Sequence, residues 1–127
     1  MSFELHPIDV NGYKIHPKHP FCLPKLQALM NVSMKTLVIG SGGREHAIGL
    51  SIHHSPHSAA LFFAPGNAGT AAIGTNLRID PFDFLVVEAS VVEHQIDLVI
   101  IGPEGPLEAG LADHLRLQGI PTVGPGQ

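Results

Sequence analysis

Apolar residues in this chain cluster in short runs that glycine- and proline-rich turns separate. Residues 36–39 and 97–101 are almost entirely aliphatic or β-branched, which predicts strands buried on both faces of a parallel sheet. Residues 61–64 predict another strand of the same kind. Shorter strands are expected at residues 77–79 and 120–123.

Between these runs, apolar residues recur at helical spacing in three segments, which are residues 45–54, 80–94 and 107–117. Asp80 is a predicted N-cap with Pro81 at the first helical position. Pro56 ends the first helix, and Gly119 fits a C-terminal cap of the last. Strands alternating with helices predict an α/β fold, a Rossmann-like three-layer arrangement with helices on both faces of a parallel sheet.

The first 33 residues differ from the rest in composition. They contain four prolines and no sustained apolar period, so neither a helix nor a central strand is expected there. We divide the chain into a mostly irregular extension at residues 1–33, for which disorder is the simpler prediction, and a folded domain at residues 34–127. The extension lacks the apolar core of a signal peptide and has no arginine, which favours a cytoplasmic location.

Composition excludes several classes of protein. The net charge of −4 lacks the basic excess expected of a nucleic-acid binder. No apolar stretch is long enough to cross a membrane. A single cysteine, Cys22, rules out an internal disulfide and fits a reducing compartment.

The nine histidines do not indicate a metal site. His16, His19 and Cys22 have metal-like spacing, but a fourth ligand is missing and prolines interrupt the segment. No Ser-His-Asp or Cys-His arrangement is visible near the predicted ligand edge either. We therefore predict neither a metal ligand nor a catalytic side chain in this chain.

Three glycine-bearing loops follow the first, second and fourth predicted strands. The carboxyl ends of parallel strands share one edge of a sheet, where ligands bind, so these loops are expected to form one cleft. The candidate substrate-binding residues in them are Gly40, Ser41, Gly42, Gly43, Arg44, Glu45, Pro65, Gly66, Asn67, Gly102, Pro103 and Glu104.

A phosphorylated small molecule suits this cleft. Glycines at a helix N-terminus let backbone N–H groups approach an anion, and Arg44 can bind phosphate through two N–H groups. Glu104 can bind ribose hydroxyls or an amine. A dinucleotide fits less well, because Glu45 stands where that motif has its third glycine and Ala64 and Pro65 stand where an acid should hold the ribose.

Each loop also has a purely structural interpretation. The glycines could simply form a tight turn, and Arg44 could pair with Glu45 or Glu104. Asn67 could serve as a helix cap, and Glu104 could stabilise a helix N-terminus.

The same loops resemble one enzyme family. KTLVIGSGGREHA at residues 35–47, APGNAGT at residues 64–70 and DLVIIGPEGPL at residues 97–107 are similar to the opening of phosphoribosylamine–glycine ligase, in its order and with its spacing. Gly110, Asp113 and the Gly124-Pro125 pair fit as well. The resemblance covers essentially all of residues 34–127 and implies the Rossmann-like domain that precedes an ATP-grasp domain.

This resemblance implies an ATP-dependent C–N ligase of purine biosynthesis. ATP phosphorylates the carboxylate of glycine, and the amine of phosphoribosylamine attacks the acyl phosphate. ATP and Mg²⁺ or Mn²⁺ would be bound mainly by the ATP-grasp domain, which this sequence does not include.

The resemblance also implies roles for the loop residues. Backbone N–H groups of residues 41–44 would contact the substrate's phosphate or ribose, while Arg44 and Glu45 would fix the loop or touch the ligand. Gly66 and Asn67 would shape the cleft wall, and Glu104 would contact ribose hydroxyls or position the amine.

We therefore expect a substrate-side domain that lacks ligase activity alone and binds no cofactor tightly. Its partners would be phosphoribosylamine and the ATP-grasp domain of the same protein, with no nucleic acid and no membrane. Two alternatives remain. One is a free-standing Rossmann-like module that binds a mononucleotide or dinucleotide without catalysis, and the other is a truncated, non-catalytic product with only a partner surface.

Overall fold

The computed structural model describes residues 33–124. They form one five-stranded, all-parallel sheet in the order β3-β2-β1-β4-β5. The strands are β1 (Met34–Gly40), β2 (Ser58–Pro65), β3 (Thr75–Asn76), β4 (Leu98–Ile101) and β5 (Thr122–Val123). This is the strand order of a Rossmann-type sheet, and the predicted fold class is confirmed.

Helices cover both faces of the sheet. They are α1 (Gly43–His53), α2 (Ala68–Ala71), α3 (Phe84–Glu93), α4 (Glu104–Glu108) and α5 (Leu111–Leu117). On one face, Ile48 and Ile52 of α1 pack against Val38 and Phe63. On the other face, the core combines residues of β1 and β4 with buried residues of α3 and α5, namely Leu37, Ile39, Val99, Ile101, Val87, Val91, Leu111 and Leu115.

The central strand β1 is the best-buried element. Leu37, Val38 and Ile39 have no exposed surface, because β1 pairs with β2 on one side and β4 on the other while helices cover both faces. Successive side chains point to opposite faces, so Val38 enters one core and its two neighbours enter the other. The strand predicted from an unbroken apolar run is thus confirmed, and the run reflects burial on both faces.

The predicted third strand is wrong by a few residues. Pairing with β2 occurs at Thr75 and Asn76. Leu77 still donates its backbone N–H to Phe63 O at 2.7 Å, but the segment then leaves the sheet. Leu77 and Ile79 are apolar because they pack against the core from the edge of the sheet.

The predicted start of the helix after β3 is also wrong. Asp83 caps α3, accepting the backbone N–H of Val86 at 3.3 Å. Asp80 instead holds a turn, in which its Oδ1 accepts the N–H of Phe82 at 2.9 Å. Aspartate serves both purposes, and local sequence does not distinguish between the two aspartates.

The helix predicted at residues 107–117 is divided in two. Gly110 adopts φ 98°, a left-handed conformation that ends α4 and turns the chain into α5. Gly119 has φ 79° just beyond the end of α5, as the predicted cap requires. The break leaves Leu111 and Leu115 facing the core.

Part of the sequence interpretation lies outside the described residues. This includes the irregular extension and the spacing of His16, His19 and Cys22, and the division of the chain at residue 33 stays a prediction. Among residues 33–124, no helix is long and apolar enough to cross a membrane.

Two leucines of α5 provide a matched test of the core. Leu115 is fully buried and Leu117 is 84% exposed. Leu115→Ala is expected to lower the free energy of unfolding by about 2–5 kcal/mol, because it leaves a cavity between α5 and the sheet. Leu117→Ala should change it by less than about 0.5 kcal/mol. Urea denaturation measures both, and equal effects would contradict the described orientation of α5.

Candidate functional site

The three glycine-bearing loops meet at the carboxyl edge of the sheet. Gly66 donates its backbone N–H to Gly40 O at 3.0 Å, and Gly102 donates to Ile39 O at 3.1 Å. The loops after β2 and β4 are therefore both bonded to the end of β1. The strand order changes direction between β1 and β4, which is where ligands bind in sheets of this type.

Glu45 lies between the first and third loops. It is in the first turn of α1, yet its side chain is only 6% exposed. Its Oε1 accepts the backbone N–H of Gly42 at 2.8 Å, and its Oε2 accepts Nε of Arg44 at 3.2 Å. The first contact is half of a capping box, which satisfies an N–H group at the start of the helix. Glu45 thus fixes the loop.

Glycines surround the Glu45 carboxyl because no side chain fits there. A methyl group on Gly40 would lie 2.6 Å from Cδ of Glu45, and one on Gly102 would lie 2.7 Å from the same atom. Gly40 also has φ 133°, which few other residues adopt. The glycines after β1 and β4 therefore provide the space in which a buried carboxylate joins the two loops.

Asn67 joins the second loop to the first. Its Oδ1 accepts the backbone N–H of Thr70 at 2.9 Å and caps α2. Its Nδ2 donates to the carbonyl oxygens of Ser41, at 2.9 Å, and of Gly42, at 3.4 Å. One amide thus caps a helix, as the structural interpretation of Asn67 predicted, and also holds the first loop, residues 40–43, which we call the glycine loop.

Arg44 and Glu104 lie on the outer surface of this edge. Arg44 Nη1 is 3.9 Å from Glu104 Oε1, and the two side chains are 58% and 80% exposed. An ion pair this exposed contributes little to stability. Both groups are therefore available to a ligand, with the guanidinium next to the N-terminus of α1 and the carboxylate at the start of α4.

The remaining predicted site residues lie in the same loops. Ser41 and Gly43 are exposed beside Arg44. Pro65 is exposed at the end of β2 and follows a cis peptide bond, and Pro103 is the N-cap residue of α4. Of the predicted residues, Gly40 and Glu45 are buried, and the Glu45 carboxyl is bonded to Gly42 and Arg44.

Sequence reasoning missed two contributors to this edge. Phe82 is more than half exposed, and its ring packs against the backbone of Gly105, next to Glu104. Asn76 ends β3, and its side chain is bonded to Asn67 and Thr70. Moving the third strand two residues earlier would have identified Asn76 as another residue at a strand's carboxyl end.

The site offers donors for an anion together with one exposed carboxylate. Backbone N–H groups at the start of α1 and the guanidinium of Arg44 suit a phosphate. Among residues 33–124, no group of three or more His, Cys, Asp and Glu residues is arranged to hold a metal ion. A separate cleft of about 270 Å³ opens at the amino ends of β1 and β4, but apolar residues such as Met34, Leu98 and Ile100 line it and do not suit a phosphate.

A pair of glycines tests the packing around Glu45. Gly102→Ala is expected to lower the free energy of unfolding by roughly 1–3 kcal/mol, because the methyl group would overlap the buried carboxyl. Gly43→Ala is the control, since a methyl group there meets no atom within 4 Å and its effect should be below about 0.5 kcal/mol. Urea denaturation of both variants measures the difference. Equal stability would contradict close packing of Glu45 against the loop after β4.

Comparison with known proteins assigns this domain. The family model for the N domain of phosphoribosylglycinamide synthetase matches residues 34–127. A phosphoribosylamine–glycine ligase from Agrobacterium fabrum is 53% identical over 94 residues, which cover 74% of this chain and 22% of that protein. The protein of the same name from Rhodopirellula baltica is 46% identical over 91 residues, covering 72% and 21%. The chain thus spans about a fifth of the length of these relatives.

Among solved structures, the chain is similar to the crystal structure of phosphoribosylamine–glycine ligase from Thermotoga maritima. The sequence identity is 30%, the TM-score is 0.41, and the match covers 55% of this chain and 16% of that one. The family model covers most of the present chain, including all three loops of the candidate site. The chain therefore belongs to the phosphoribosylglycinamide synthetase N-domain family.

Proposed function

We propose that this chain is the substrate-side domain of a cytoplasmic phosphoribosylamine–glycine ligase. This enzyme converts ATP, 5-phosphoribosylamine and glycine into glycinamide ribonucleotide, ADP and phosphate. The observation that carries the proposal is the convergence of the three loops, which brings an exposed arginine and an exposed carboxylate to the N-terminus of α1. This combination matches a ligand with a phosphate at one end and hydroxyl and amine groups at the other.

The glycine loop would bind the phosphate of phosphoribosylamine. Free N–H groups in the first turn of α1 and the positive end of the helix dipole favour an anion. Arg44 is held at its Nε by Glu45, so its two terminal nitrogens remain available for phosphate oxygens. Glu104 would accept hydrogen bonds from ribose hydroxyls or from the amine, which positions the nucleophile for attack on an activated glycine.

ATP and Mg²⁺ or Mn²⁺ would be held by the ATP-grasp part of the whole enzyme. These metal ions prefer several oxygen ligands, whereas one carboxylate at this edge, Glu45, is occupied by Gly42 and Arg44. Glu104 alone makes a poor metal site. The residues of this domain would therefore bind and orient the amine substrate.

The alternative is a free-standing Rossmann-like module that binds a nucleotide. NAD recognition needs an acid at the end of β2 to hold the adenosine ribose, and that strand ends in Ala64 and Pro65. Calorimetric titration with NAD, AMP and ribose 5-phosphate distinguishes the two functions. Ribose phosphate binding with little NAD binding supports the ligase domain, while the reverse supports the module.

Arg44 is expected to determine affinity for the phosphate group. Arg44→Ala should weaken binding of ribose 5-phosphate by the 127-residue chain roughly ten- to a hundredfold, the usual effect of removing a charge-assisted hydrogen bond. Lys35→Ala removes the same charge at the opposite end of β1 and should leave affinity unchanged. Isothermal titration calorimetry measures these affinities. Equal weakening in both variants would point to net charge alone and contradict the assignment.

Glu104 provides a second comparison within the same titration. Glu104→Gln should weaken binding of ribose 5-phosphate but not of inorganic phosphate, because its partners would be hydroxyl groups. Arg44→Ala should weaken binding of both ligands. Unchanged ribose 5-phosphate affinity in Glu104→Gln would leave that residue with a structural role.

We also expect the 127-residue chain to form no glycinamide ribonucleotide from ATP, glycine and phosphoribosylamine. Its described residues offer no evident means of activating the carboxylate of glycine. Product formation can be followed as ADP release that depends on both glycine and phosphoribosylamine. A turnover that persists after repurification and is lost in Arg44→Ala would contradict the proposal that activation of glycine requires the ATP-grasp domain.

A further inference from the structure

The orientation of two peptide groups in the glycine loop decides which of its atoms face a ligand. In a trans peptide the carbonyl and the following N–H point in opposite directions. The Ser41 carbonyl points to Nδ2 of Asn67, and the next N–H, that of Gly42, points to Glu45. The Gly42 carbonyl accepts the N–H of His46 and lies 3.4 Å from Asn67 Nδ2, which leaves the Gly43 N–H directed away from the helix.

Asn67 can hold these carbonyls only if its own position is fixed. Its backbone N–H donates to Thr70 Oγ1 at 2.7 Å, and its backbone carbonyl accepts Nδ2 of Asn76 at 2.8 Å. The Thr70 hydroxyl, in turn, lies 2.7 Å from Oδ1 of Asn76 and donates to it. The amide of Asn76 is therefore bonded to both residues that define the conformation of the second loop.

The backbone of the second loop also packs directly on the Asn76 amide. Gly66 adopts φ 76°, and a methyl group there would lie 2.5 Å from Cγ of Asn76. Asn76 itself is anchored, because it belongs to β3 and pairs in register with Phe63 of β2. The end of β3 thus supports Asn67, and Asn67 supports the glycine loop.

We propose that Asn76 is a positioning residue for the glycine loop, acting through Asn67. This inference rests on the proposed function, since it assigns Asn76 a role in sugar phosphate affinity at the same site. In this role the Asn76 amide acts through its bonds to Asn67 and Thr70 and needs no contact with the ligand. It keeps the Ser41 and Gly42 carbonyls turned towards Asn67, so that the N–H groups at the start of α1 face the phosphate.

Two near-isosteric substitutions test the connection. Asn76→Asp keeps Oδ1 for Thr70 and removes the donor to the Asn67 carbonyl. Asn67→Asp keeps the cap to Thr70 and removes the donor to the Ser41 and Gly42 carbonyls. Each variant should weaken ribose 5-phosphate binding by the full 127-residue chain about three- to tenfold, as expected for loss of one neutral hydrogen bond. The double variant should be no weaker than Asn67→Asp, because both changes act on one element.

Gln118→Glu is the control for added negative charge. Gln118 is exposed just after α5, at the opposite edge of the sheet, and its substitution should leave affinity unchanged. The unfolding midpoint of every variant is measured alongside. In the ligand-free chain, the amide resonances of residues 41–43 should shift in both Asp variants and stay in place in Gln118→Glu.

The outcomes separate this inference from the proposed function. If the unmodified chain binds no ribose 5-phosphate, the proposed function falls and this inference falls with it. If the unmodified chain binds and Asn76→Asp binds equally well, the inference alone is wrong, even where the unfolding midpoint drops. Independent effects that multiply in the double variant would also overturn it, because Asn76 would then not act through Asn67.

Discussion

The buried carboxylate of Glu45 is the contact on which this edge of the molecule depends. It joins the N-terminus of α1 to the loop after β4, and it holds Nε of Arg44. A carboxylate loses its hydration on burial, so its oxygens need donors, which the Gly42 N–H and Arg44 supply. The space for it comes from Gly40 and Gly102, whose missing side chains let two loops approach one carboxyl group.

The polar groups of this site fall into two sets. Buried contacts fix the loops, and exposed groups remain accessible on the surface. Beneath the surface, Glu45 accepts the Gly42 N–H and Asn67 donates to the Ser41 carbonyl, so these groups have partners within the protein. Above, Arg44 and Glu104 are exposed and only loosely paired. This arrangement suits a domain that binds and orients a charged substrate, since preorganised donors need little rearrangement when the ligand arrives.

Much of the fold could be predicted from the sequence, and the exceptions arise where tertiary packing decides the local structure. The strands β1 and β4 were found because burial on both faces leaves an unbroken apolar run. The third strand was misplaced because Leu77 and Ile79 are apolar for packing, while the paired residues, Thr75 and Asn76, are polar. The helix start at Asp83 and the break at Gly110 depend on where the chain must turn to cover the sheet, which local propensity does not report.

For the candidate site, the sequence by itself determined which loops meet at one edge of the sheet. The direction of parallel strands places their carboxyl ends together, so the glycines that follow these strands share one edge of the sheet. Together with Arg44 and Glu104, these glycines predict a phosphate-binding site at that edge. Only the tertiary structure decided what each polar residue does there. Glu45 is buried and binds the loop, and Asn76 joins the second loop through bonds to residues six and nine positions away. Hydrogen-bond partners of this kind depend on side-chain directions and on approach between loops, and spacing along the chain does not encode either.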